Sequence, residues 1–230
     1  NATGTPVATF TTDANGHAEL AKPLGNGTYY VKETKAPRGY KLDEKIYTFH
    51  INGSDTSVDV QDDPGRVRLK LVKKDSQAGQ SAQGNASLEG AVYRITYKKN
   101  GQTVTQEGTS DAQGHIEPPF DDIPFGEVKV QEIKAPDGYK LDTTVHTYQI
   151  GAPDTVSDVF EMEPNDLTEE VIRGGITIEK RDSVTGDTPQ GDASFAGIKF
   201  DVVNDSDNSV VMNGKTCAPG SVAMTITTNE

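Results

Sequence analysis

Lysine and glutamate residues fall on the apolar faces of segments that the sequence predicts to be β-strands. Side chains alternate across a strand, so residues two positions apart share a face. By this rule Lys73 and Lys180 each end an apolar run, and so do Glu33 and Glu132. The apolar residues on these faces are, in the same order, Val67, Leu69 and Leu71; Ile176 and Ile178; Tyr29 and Val31; and Val128 and Val130. A buried charge is costly unless it is paired, so this pattern calls for a chemical or structural explanation.

A lysine and a glutamate in such positions could form a covalent crosslink. An amine held in an apolar core has a lowered pKa, so the free amine becomes available as a nucleophile. A buried glutamic acid has a raised pKa, so it can stay protonated and polarise a carbonyl group. Attack of the amine on an Asn or Asp side chain would give an amide and release ammonia or water. The structural alternative is that both side chains reach water at strand ends or form an ordinary ion pair.

The acceptor of such a reaction should lie on the last strand of each unit. Asp62 shares a face with Val58 and Val60, just before Asp63-Pro64, and is the acceptor candidate there. The later Glu163-Pro164 puts Met162, which cannot react, in the matching place. Asn165 would serve only if the strand is bulged or shifted, which leaves Lys73, Glu132 and Asn165 as the trio to test. Within this sequence Lys180 has no acceptor, and Glu33 and Asp62 have no donor lysine.

Two pairs of similar segments show that the chain is built from repeats. Residues 29–42 (YYVKETKAPRGYKL) resemble residues 128–141 (VKVQEIKAPDGYKL) at a spacing of 136 − 37 = 99 between their prolines. The segments that begin at Lys73 and Lys180 also match, at a spacing of 180 − 73 = 107. A period near 100 residues indicates an array of whole domains. We expect the later part of one repeat at 1–64, a complete repeat at 65–165, a linker at 166–173 and the first part of a third repeat at 174–230.

The local patterns predict an all-β fold. Asn100-Gly101 lies between two strand-like runs and predicts a tight hairpin. Matching polar turns are expected at 12–17 and 110–115, and the Ala-Pro-x-Gly-Tyr segments predict further turns. Residues 166–171 (DLTEEV) are the single segment with a helical pattern, and we expect one helical turn there. About seven short strands per repeat, in two sheets, fit these signals.

The same residues carry a resemblance to a known family. The chain resembles tandem CnaB-type domains, also called SpaA-like prealbumin-fold domains, of Gram-positive surface proteins and pilins. The matching motifs are the lysine strand ends at 73–75 and 180–182, the L/F-x-G segments at 88–90 and 195–197, and the E-x-x-APxGY box at 33–40 and 132–139. The resemblance covers most of residues 12–211. It implies tandem immunoglobulin-like (prealbumin, CnaB-type) β-sandwich domains.

The resemblance also implies a function and roles for individual residues. Such domains form rigid stalks of cell-wall-anchored adhesins or pilus subunits, commonly crosslinked by Lys–Asn or Lys–Asp isopeptide bonds. Lys73 and Lys180 match the donor lysines, Glu33 and Glu132 the catalytic acids, and Asp62 the acceptor. Neighbouring pilin subunits, host extracellular matrix or glycans are the partners implied, at an extracellular, cell-wall or pilus location. The sequence shows neither an LPxTG sorting signal nor a pilin lysine motif.

Composition narrows the remaining function classes. A net charge of −13 and a pI near 4.7 argue against nucleic acid and anionic membranes as partners, and no apolar run is long enough to cross a bilayer. Cys217 is the sole cysteine, so no disulfide framework exists, and its thiol is expected to be buried or inert. No catalytic, cofactor or metal motif is recognisable, so we expect no enzyme beyond a single-turnover intramolecular reaction. The alternative function is a module that binds a host ligand or glycan.

Overall fold

The chain folds into β-strands joined by turns. The computed structural model describes residues 4–156 and 159–228, and these residues contain sixteen strands and no helix. The first ten strands are β1 (Gly27–Lys32), β2 (Ile46–Ile51), β3 (Val67–Leu69), β4 (Lys74–Asp75), β5 (Val92–Lys99), β6 (Gln102–Ser110), β7 (Ile116–Glu117), β8 (Phe120–Ile123), β9 (Gly126–Lys134) and β10 (Val145–Ile150). The others are β11 (Phe160–Met162), β12 (Thr168–Glu169), β13 (Lys199–Val203), β14 (Val210–Met212), β15 (Lys215–Cys217) and β16 (Val222–Thr227). The all-β prediction is confirmed.

The strands divide between two compact units. Unit 1 comprises residues 1–66 and 151–160, and unit 2 comprises residues 67–150 and 161–230. The chain therefore enters unit 2 at Val67, returns to unit 1 at Gly151, and enters unit 2 again at Glu161.

Unit 1 is organised around the hairpin of β1 and β2. These strands pair antiparallel, with Gly27 opposite Ile51. The Ala-Pro-x-Gly-Tyr turn follows β1, and Gly39 takes the positive φ of 83° that this turn requires. Residues 151–156, here called the strap, contact this turn: the Gly39 N–H donates to the Pro153 carbonyl at 3.0 Å, and Val156 forms a parallel bridge with Lys41. A segment far along the sequence thus completes the environment of this turn.

Unit 2 contains the main hydrophobic core. A five-stranded sheet in the order β10-β9-β5-β6-β7 and a three-stranded sheet in the order β11-β3-β8 contribute the core side chains. Burying each large aliphatic or aromatic side chain stabilises the fold by about 1.5–3 kcal/mol. The most deeply buried apolar residues of these strands are Val67, Leu69, Tyr93, Ile95, Phe120, Ile123, Val128 and Val130. Alternation along β3 and β9 is therefore as the sequence predicts, with the apolar faces turned inward.

Residues 174–228 form two strand pairs, β13 with β16 and β14 with β15. They contact the rest of unit 2 through the loop at 83–85. The Val211 N–H donates to Gln83 Oε1 at 2.8 Å, and Asn208 Nδ2 donates to the Gly84 carbonyl at 2.9 Å. The segment that follows Lys180 is thereby hydrogen-bonded to the segment that follows Lys73, within unit 2.

The predicted turns are confirmed. Asn100 and Gly101 form the tight hairpin turn between β5 and β6, with positive φ angles of 51° and 77°. In the polar turn at 110–115, the Asp111 N–H donates to the His115 carbonyl at 2.8 Å, and Gly114 has φ 86°. A Cβ at Gly114 would lie 2.3 Å from the Lys73 carbonyl oxygen, so this turn also needs glycine for its close approach.

The predicted helical turn at 166–171 is wrong. Thr168 and Glu169 form β12, which pairs in parallel with β4. Leu167 is 2% exposed, and its apolar burial together with the strand pairing outweighs the weak local preference for helix. Residues assigned to a linker on sequence therefore contribute a strand and a core side chain to unit 2.

Candidate functional site

Lys73 lies at the centre of the candidate site, between β3 and β4. Its residue is 0% exposed. The alternation that starts at Val67 carries the side chain inward, and the Lys73 N–H donates to the Gly114 carbonyl at 2.7 Å, which fixes the backbone. A lysine enclosed in this way destabilises the fold unless its amine has an oppositely charged or covalent partner.

Glu132 is one of two acidic partners of this amine. It lies on β9, opposite Tyr93 of β5, and its side chain is 1% exposed. The Lys73 Nζ to Glu132 Oε1 distance is 3.7 Å. The other oxygen, Oε2, accepts a hydrogen bond of 3.0 Å from the Asp142 N–H. The structure thus brings together the lysine and the acid that the sequence pairs.

The second acidic partner is Glu169 on β12. Its side chain is 3% exposed, and its Oε2 is the nearest carboxylate oxygen to Lys73 Nζ among the described ion pairs of this lysine. Hydrogen bonds from the Lys74 N–H to the Leu167 carbonyl and from the Ser76 N–H to the Glu169 carbonyl hold β12 against β4. Tyr93 donates its hydroxyl to Glu169 Oε1 at 2.8 Å. The two oxygens of Glu169 therefore face different groups.

Tyr139 closes the remaining side of the lysine. Lys73 Nζ lies 4.7 Å from the centre of the Tyr139 ring, a distance that favours a cation–π contact when the amine is charged. The Tyr139 hydroxyl donates to Asp75 Oδ2 at 2.9 Å. Asp75 is held in turn by the N–H groups of Gln77 and Ala78 and by the Gln83 side-chain amide. The Asp75 turn therefore fixes the ring that covers Lys73.

The electrostatics favour a protonated carboxyl beside the amine. Burial, followed by the neighbouring Glu169 carboxyl, raises the pKa of Glu132 above its ordinary value, and the Asp142 N–H and the charge of Lys73 counteract this only in part. Burial and the Glu169 charge also raise the pKa of the Tyr93 hydroxyl, so that it remains a hydrogen-bond donor. A neutral Glu132 leaves Glu169 as the other acidic group beside the Lys73 amine.

Three buried atoms at this site lack a hydrogen-bond partner within the described residues. They are Lys73 Nζ, Glu132 Oε1 and Glu169 Oε2. Buried polar atoms in folded proteins almost always have such partners. The three atoms lie around one point, where the amine meets the two carboxyl groups, so the site has the composition for a bond-forming reaction between them.

The other predicted site residues lie elsewhere. Asn165 is exposed, and its Oδ1 accepts a hydrogen bond of 2.8 Å from Lys74 Nζ rather than from Lys73. Met162 is partly buried against the core of unit 2. Lys180 is exposed, and its Nζ donates to the Arg181 carbonyl at 3.2 Å. The structure therefore groups Lys73 with Glu132 but not with Asn165.

Unit 1 contains counterparts of the acidic residues of this site but, among its described residues, no counterpart of Lys73. Glu33 Oε2 accepts a hydrogen bond of 2.8 Å from the Asp43 N–H, as Glu132 does from Asp142. Each residue of the first pair lies 99 positions before its counterpart in the second pair, since 132 − 33 = 142 − 43 = 99. Asp62 is half-buried, and its Oδ1 is a buried atom without a hydrogen-bond partner in the described part of the chain.

Sequence reasoning missed Glu169, although a signal for it was present. The lysine segments repeat at a spacing of 107, and 62 + 107 = 169, so Glu169 is the equivalent of Asp62. The prediction aligned the acidic-Pro pairs Asp63-Pro64 and Glu163-Pro164 instead, which pointed to Met162 and Asn165. Glutamate has one methylene more than aspartate, but it occupies the same position of the repeat.

Other groups in the described residues do not form a site of this kind. No cluster of three or more His, Cys, Asp or Glu side chains is arranged to hold a metal ion in residues 4–156 and 159–228. Cys217 is buried at 2% exposure, which agrees with the expectation for its thiol. The described residues contain no helix that is long and apolar enough to span a membrane.

Comparisons with known proteins place this geometry in a family. The model of the SpaA prealbumin-like fold domain matches residues 1–64 and 68–163. Among solved structures, the Bacillus anthracis TIE protein is 26% identical with a TM-score of 0.51, over 71% of this chain and 28% of that chain. BcpA, the major pilin subunit of Bacillus cereus, is 29% identical over 43% of this chain and 28% of that chain, with a TM-score of 0.31. A streptococcal ancillary pilin is 18% identical over 65% of this chain and 43% of that chain, with a TM-score of 0.33.

The extent of these matches determines what they establish. The chain spans less than half the length of each of these three proteins. No curated protein sequence matches it significantly. The family model, however, matches two successive segments that together cover more than half of the chain, and both contain an E-x-x-APxGY box. The chain therefore belongs to the SpaA family of prealbumin-like fold domains.

Proposed function

We propose that this chain is a structural stalk segment of a surface adhesin or pilus subunit of a Gram-positive bacterium. The observation that carries the proposal is a repeated domain whose complete copy encloses Lys73 between Glu132 and Glu169. A ligand site or a turnover enzyme needs an accessible reacting group, whereas this lysine is 0% exposed. Its position suits a bond that forms once and then stabilises the domain.

The family membership supports the same function. Several structures that the chain resembles are pilin subunits, although the likeness to each covers only part of either chain. In the proposal, neighbouring subunits are the partners and the location is extracellular, on the cell wall or a pilus. The repeats at 1–64, 65–165 and 174–230 are the proposed spacer units, and β12, from the segment 166–173, completes the second of them. Lys73 would react within its own repeat, and Lys180 and Asp62 are the equivalent donor and acceptor positions of the neighbouring repeats.

Force spectroscopy on the full chain tests the stalk function. If Lys73 is crosslinked to a residue on the last strand of its repeat, the enclosed residues cannot extend when the domain unfolds. For a crosslink from residue 73 to residue 169, 169 − 73 = 96 residues stay locked. At about 3.3–3.6 Å per residue, the contour length released should be shorter by roughly 320–350 Å than in a Lys73→Met variant.

The experiment tests the stalk function and the crosslink independently. If unit 2 resists force strongly but releases its full length, the stalk function stands and the crosslink does not. Unfolding of both proteins at equally low force would contradict the stalk function itself. Binding of a host ligand or glycan remains the alternative function. We do not propose it because no observation on the described residues favours it.

A further inference from the structure

We infer that Glu169, a glutamate rather than an Asn or Asp, is the residue to which Lys73 becomes covalently joined. The inference deepens the proposed function and rests on its covalent stabilisation. Lys73 Nζ makes its closest described carboxylate contact with Glu169 Oε2, and both side chains are almost fully enclosed. The resulting bond would be a side-chain amide between the lysine Nζ and the glutamate Cδ.

The two oxygens of Glu169 have distinct environments that fit this reaction. Oε1 accepts a hydrogen bond of 2.8 Å from the Tyr93 hydroxyl. A donor in this place stabilises the negative charge that develops on the retained oxygen when the amine attacks. Oε2 faces the amine and has no hydrogen-bond partner in the described structure, so it is the oxygen that leaves.

Glu132 is placed to move the protons. Its Oε1 lies 3.7 Å from Lys73 Nζ, and its carboxyl adjoins that of Glu169. The Lys73 ammonium first gives one proton to Glu169 Oε2, which frees the amine for attack. After the attack Glu132, as a neutral acid, gives the leaving Oε2 its second proton and regains one from the nitrogen. The amine loses two protons, one C–O bond of Glu169 breaks, one C–N bond forms, and water leaves. Glu132 ends as it began, so the reaction needs no cofactor, oxidant or reductant.

Tyr139 restricts what else can reach the lysine. Its ring lies 4.7 Å from Nζ and is fixed through its hydroxyl to Asp75. Asn165, the acceptor expected from the sequence, accepts a hydrogen bond from the half-buried Lys74 instead. Glu169 is therefore the acceptor candidate that is enclosed with the amine, with Oε1 held by the Tyr93 hydroxyl and Oε2 facing Lys73 Nζ.

Intact mass of the full 230-residue chain tests the inference. Loss of water should lower the mass by about 18 Da relative to the sequence, whereas an Asn or Gln acceptor would lose ammonia and about 17 Da. After proteolysis, a branched peptide should join the segments that contain Lys73 and Glu169. An unshifted mass in a folded protein, or a branch at another residue, would overturn the inference.

Four variants make the test specific. Lys73→Met should abolish the mass deficit, and the matched Lys74→Met should leave it intact, since Lys74 lies on the opposite face. Asn165→Ala should also leave it at about 18 Da. Glu169→Gln keeps the shape of the side chain and should change the deficit to about 17 Da, because ammonia then replaces water as the leaving group. A deficit that Asn165→Ala removes, or that Glu169→Gln leaves at about 18 Da, would show that Glu169 is not the acceptor.

Tyr93 and Glu132 are tested by the extent of reaction. Tyr93→Phe and Glu132→Gln should each lower the fraction of crosslinked protein after folding, while circular dichroism shows the same fold. Full crosslinking in both variants would contradict the roles assigned to these side chains. A missing mass deficit with normal mechanical resistance would reject Glu169 as an acceptor but keep the stalk function.

Discussion

Lys73 and Lys180 occupy the same position of a repeated motif, yet their environments are opposite. Each precedes an aspartate by two residues, and the two turns share their hydrogen bonds. Asp75 Oδ1 accepts from the N–H groups of residues 77 and 78, and Asp182 Oδ1 accepts from those of residues 184 and 185. In both turns a glutamine eight residues later donates to both carboxylate oxygens. Lys73, however, is fully buried, whereas Lys180 is exposed.

The difference shows that the turn is determined by its own segment, whereas the burial of the lysine depends on distant strands. A turn built from an aspartate and the next few N–H groups needs only its own segment, so it forms in both places. Burial of the lysine needs β9, which supplies Glu132, and β12, which supplies Glu169, and both lie far along the chain. The enclosed environment of Lys73 is thus a property of the assembled unit 2 and not of the lysine motif.

The largest expected effect comes from removing the lysines one at a time. Lys73→Met should lower the free energy of unfolding by about 4–5 kcal/mol, because the proposed crosslink across 96 residues would restrict the unfolded chain. Lys180→Met should change it by no more than about 0.5 kcal/mol, as for other surface substitutions. Denaturant titration of both variants measures the difference. Equal effects would mean that burial of Lys73 has no energetic consequence.

A triple replacement sharpens this prediction, because removing one partner of a buried ion pair also costs about 3–5 kcal/mol. We expect Lys73→Met with Glu132→Leu and Glu169→Leu to remain less stable than the parent protein, since this variant cannot form the proposed crosslink. An ion pair without a covalent bond would behave differently: apolar replacement of the whole group would leave stability unchanged or higher. Calorimetry of the triple variant distinguishes the two outcomes.

The next effect concerns the tyrosines of the two Ala-Pro-x-Gly-Tyr segments. Tyr139→Phe should cost about 1.5–3 kcal/mol, since it leaves the buried Asp75 carboxylate without one hydrogen bond. Tyr40→Phe is the matched control, because Tyr40 is 40% exposed and should contribute no more than about 0.5 kcal/mol. Thermal unfolding monitored by near-ultraviolet circular dichroism measures both. A cost at Tyr40 equal to that at Tyr139 would remove the distinction between the two segments.

The smallest expected effect is a pH dependence of the exposed turn. Hydrogen bonds from the Thr185 and Val184 N–H groups and from Gln190 lower the pKa of Asp182 to about 2. A lowered folded-state pKa means that this stabilisation is present above the unfolded value near 3.8 and is lost as the pH falls toward 2. Carboxyl chemical shifts followed by NMR should show a midpoint near 2. Gln190→Ala should raise that midpoint, and an unchanged midpoint would contradict the contribution of this hydrogen bond.

In the equivalent buried turn, burial alone would raise the pKa of Asp75. The hydrogen bonds from Ala78, Gln77, Gln83 and Tyr139 outweigh this and lower it. Tyr139→Phe should therefore raise the Asp75 midpoint, with Tyr40→Phe as the variant that leaves it unchanged.

The residues that sequence alone could predict are those determined by short-range rules. The hairpin at Asn100-Gly101 and the inward parity of Lys73 and Glu132 depend on backbone preferences and on alternation, which a single strand determines by itself. The chain after Met162 was not predictable by the same rules. Between Met162 and Leu167 it leaves β11 and joins β4 in parallel, so counting from Met162 does not reach Glu169, the acidic residue beside Lys73.

Lys180 shows the complementary failure. Its alternation with Ile176 and Ile178 matches that of Lys73, but Ile176 is 63% exposed and no strand forms there in the described structure. An alternating pattern states which side chains would face a core. It does not supply the partner strands that create one.

The strap has a consequence for the order in which the protein forms. Unit 1 ends its first segment at residue 66, but the strap that contacts Gly39 and Lys41 begins at residue 151, which is 151 − 66 = 85 residues later. At about 5–20 residues per second, a ribosome makes this stretch in roughly 4–17 s. During that interval the earlier unit waits for its last segment. The synthesis of the two units therefore overlaps: unit 1 has all its residues only after the first segment of unit 2 has been made, and unit 2 has all of its residues later still, because its second segment begins at residue 161.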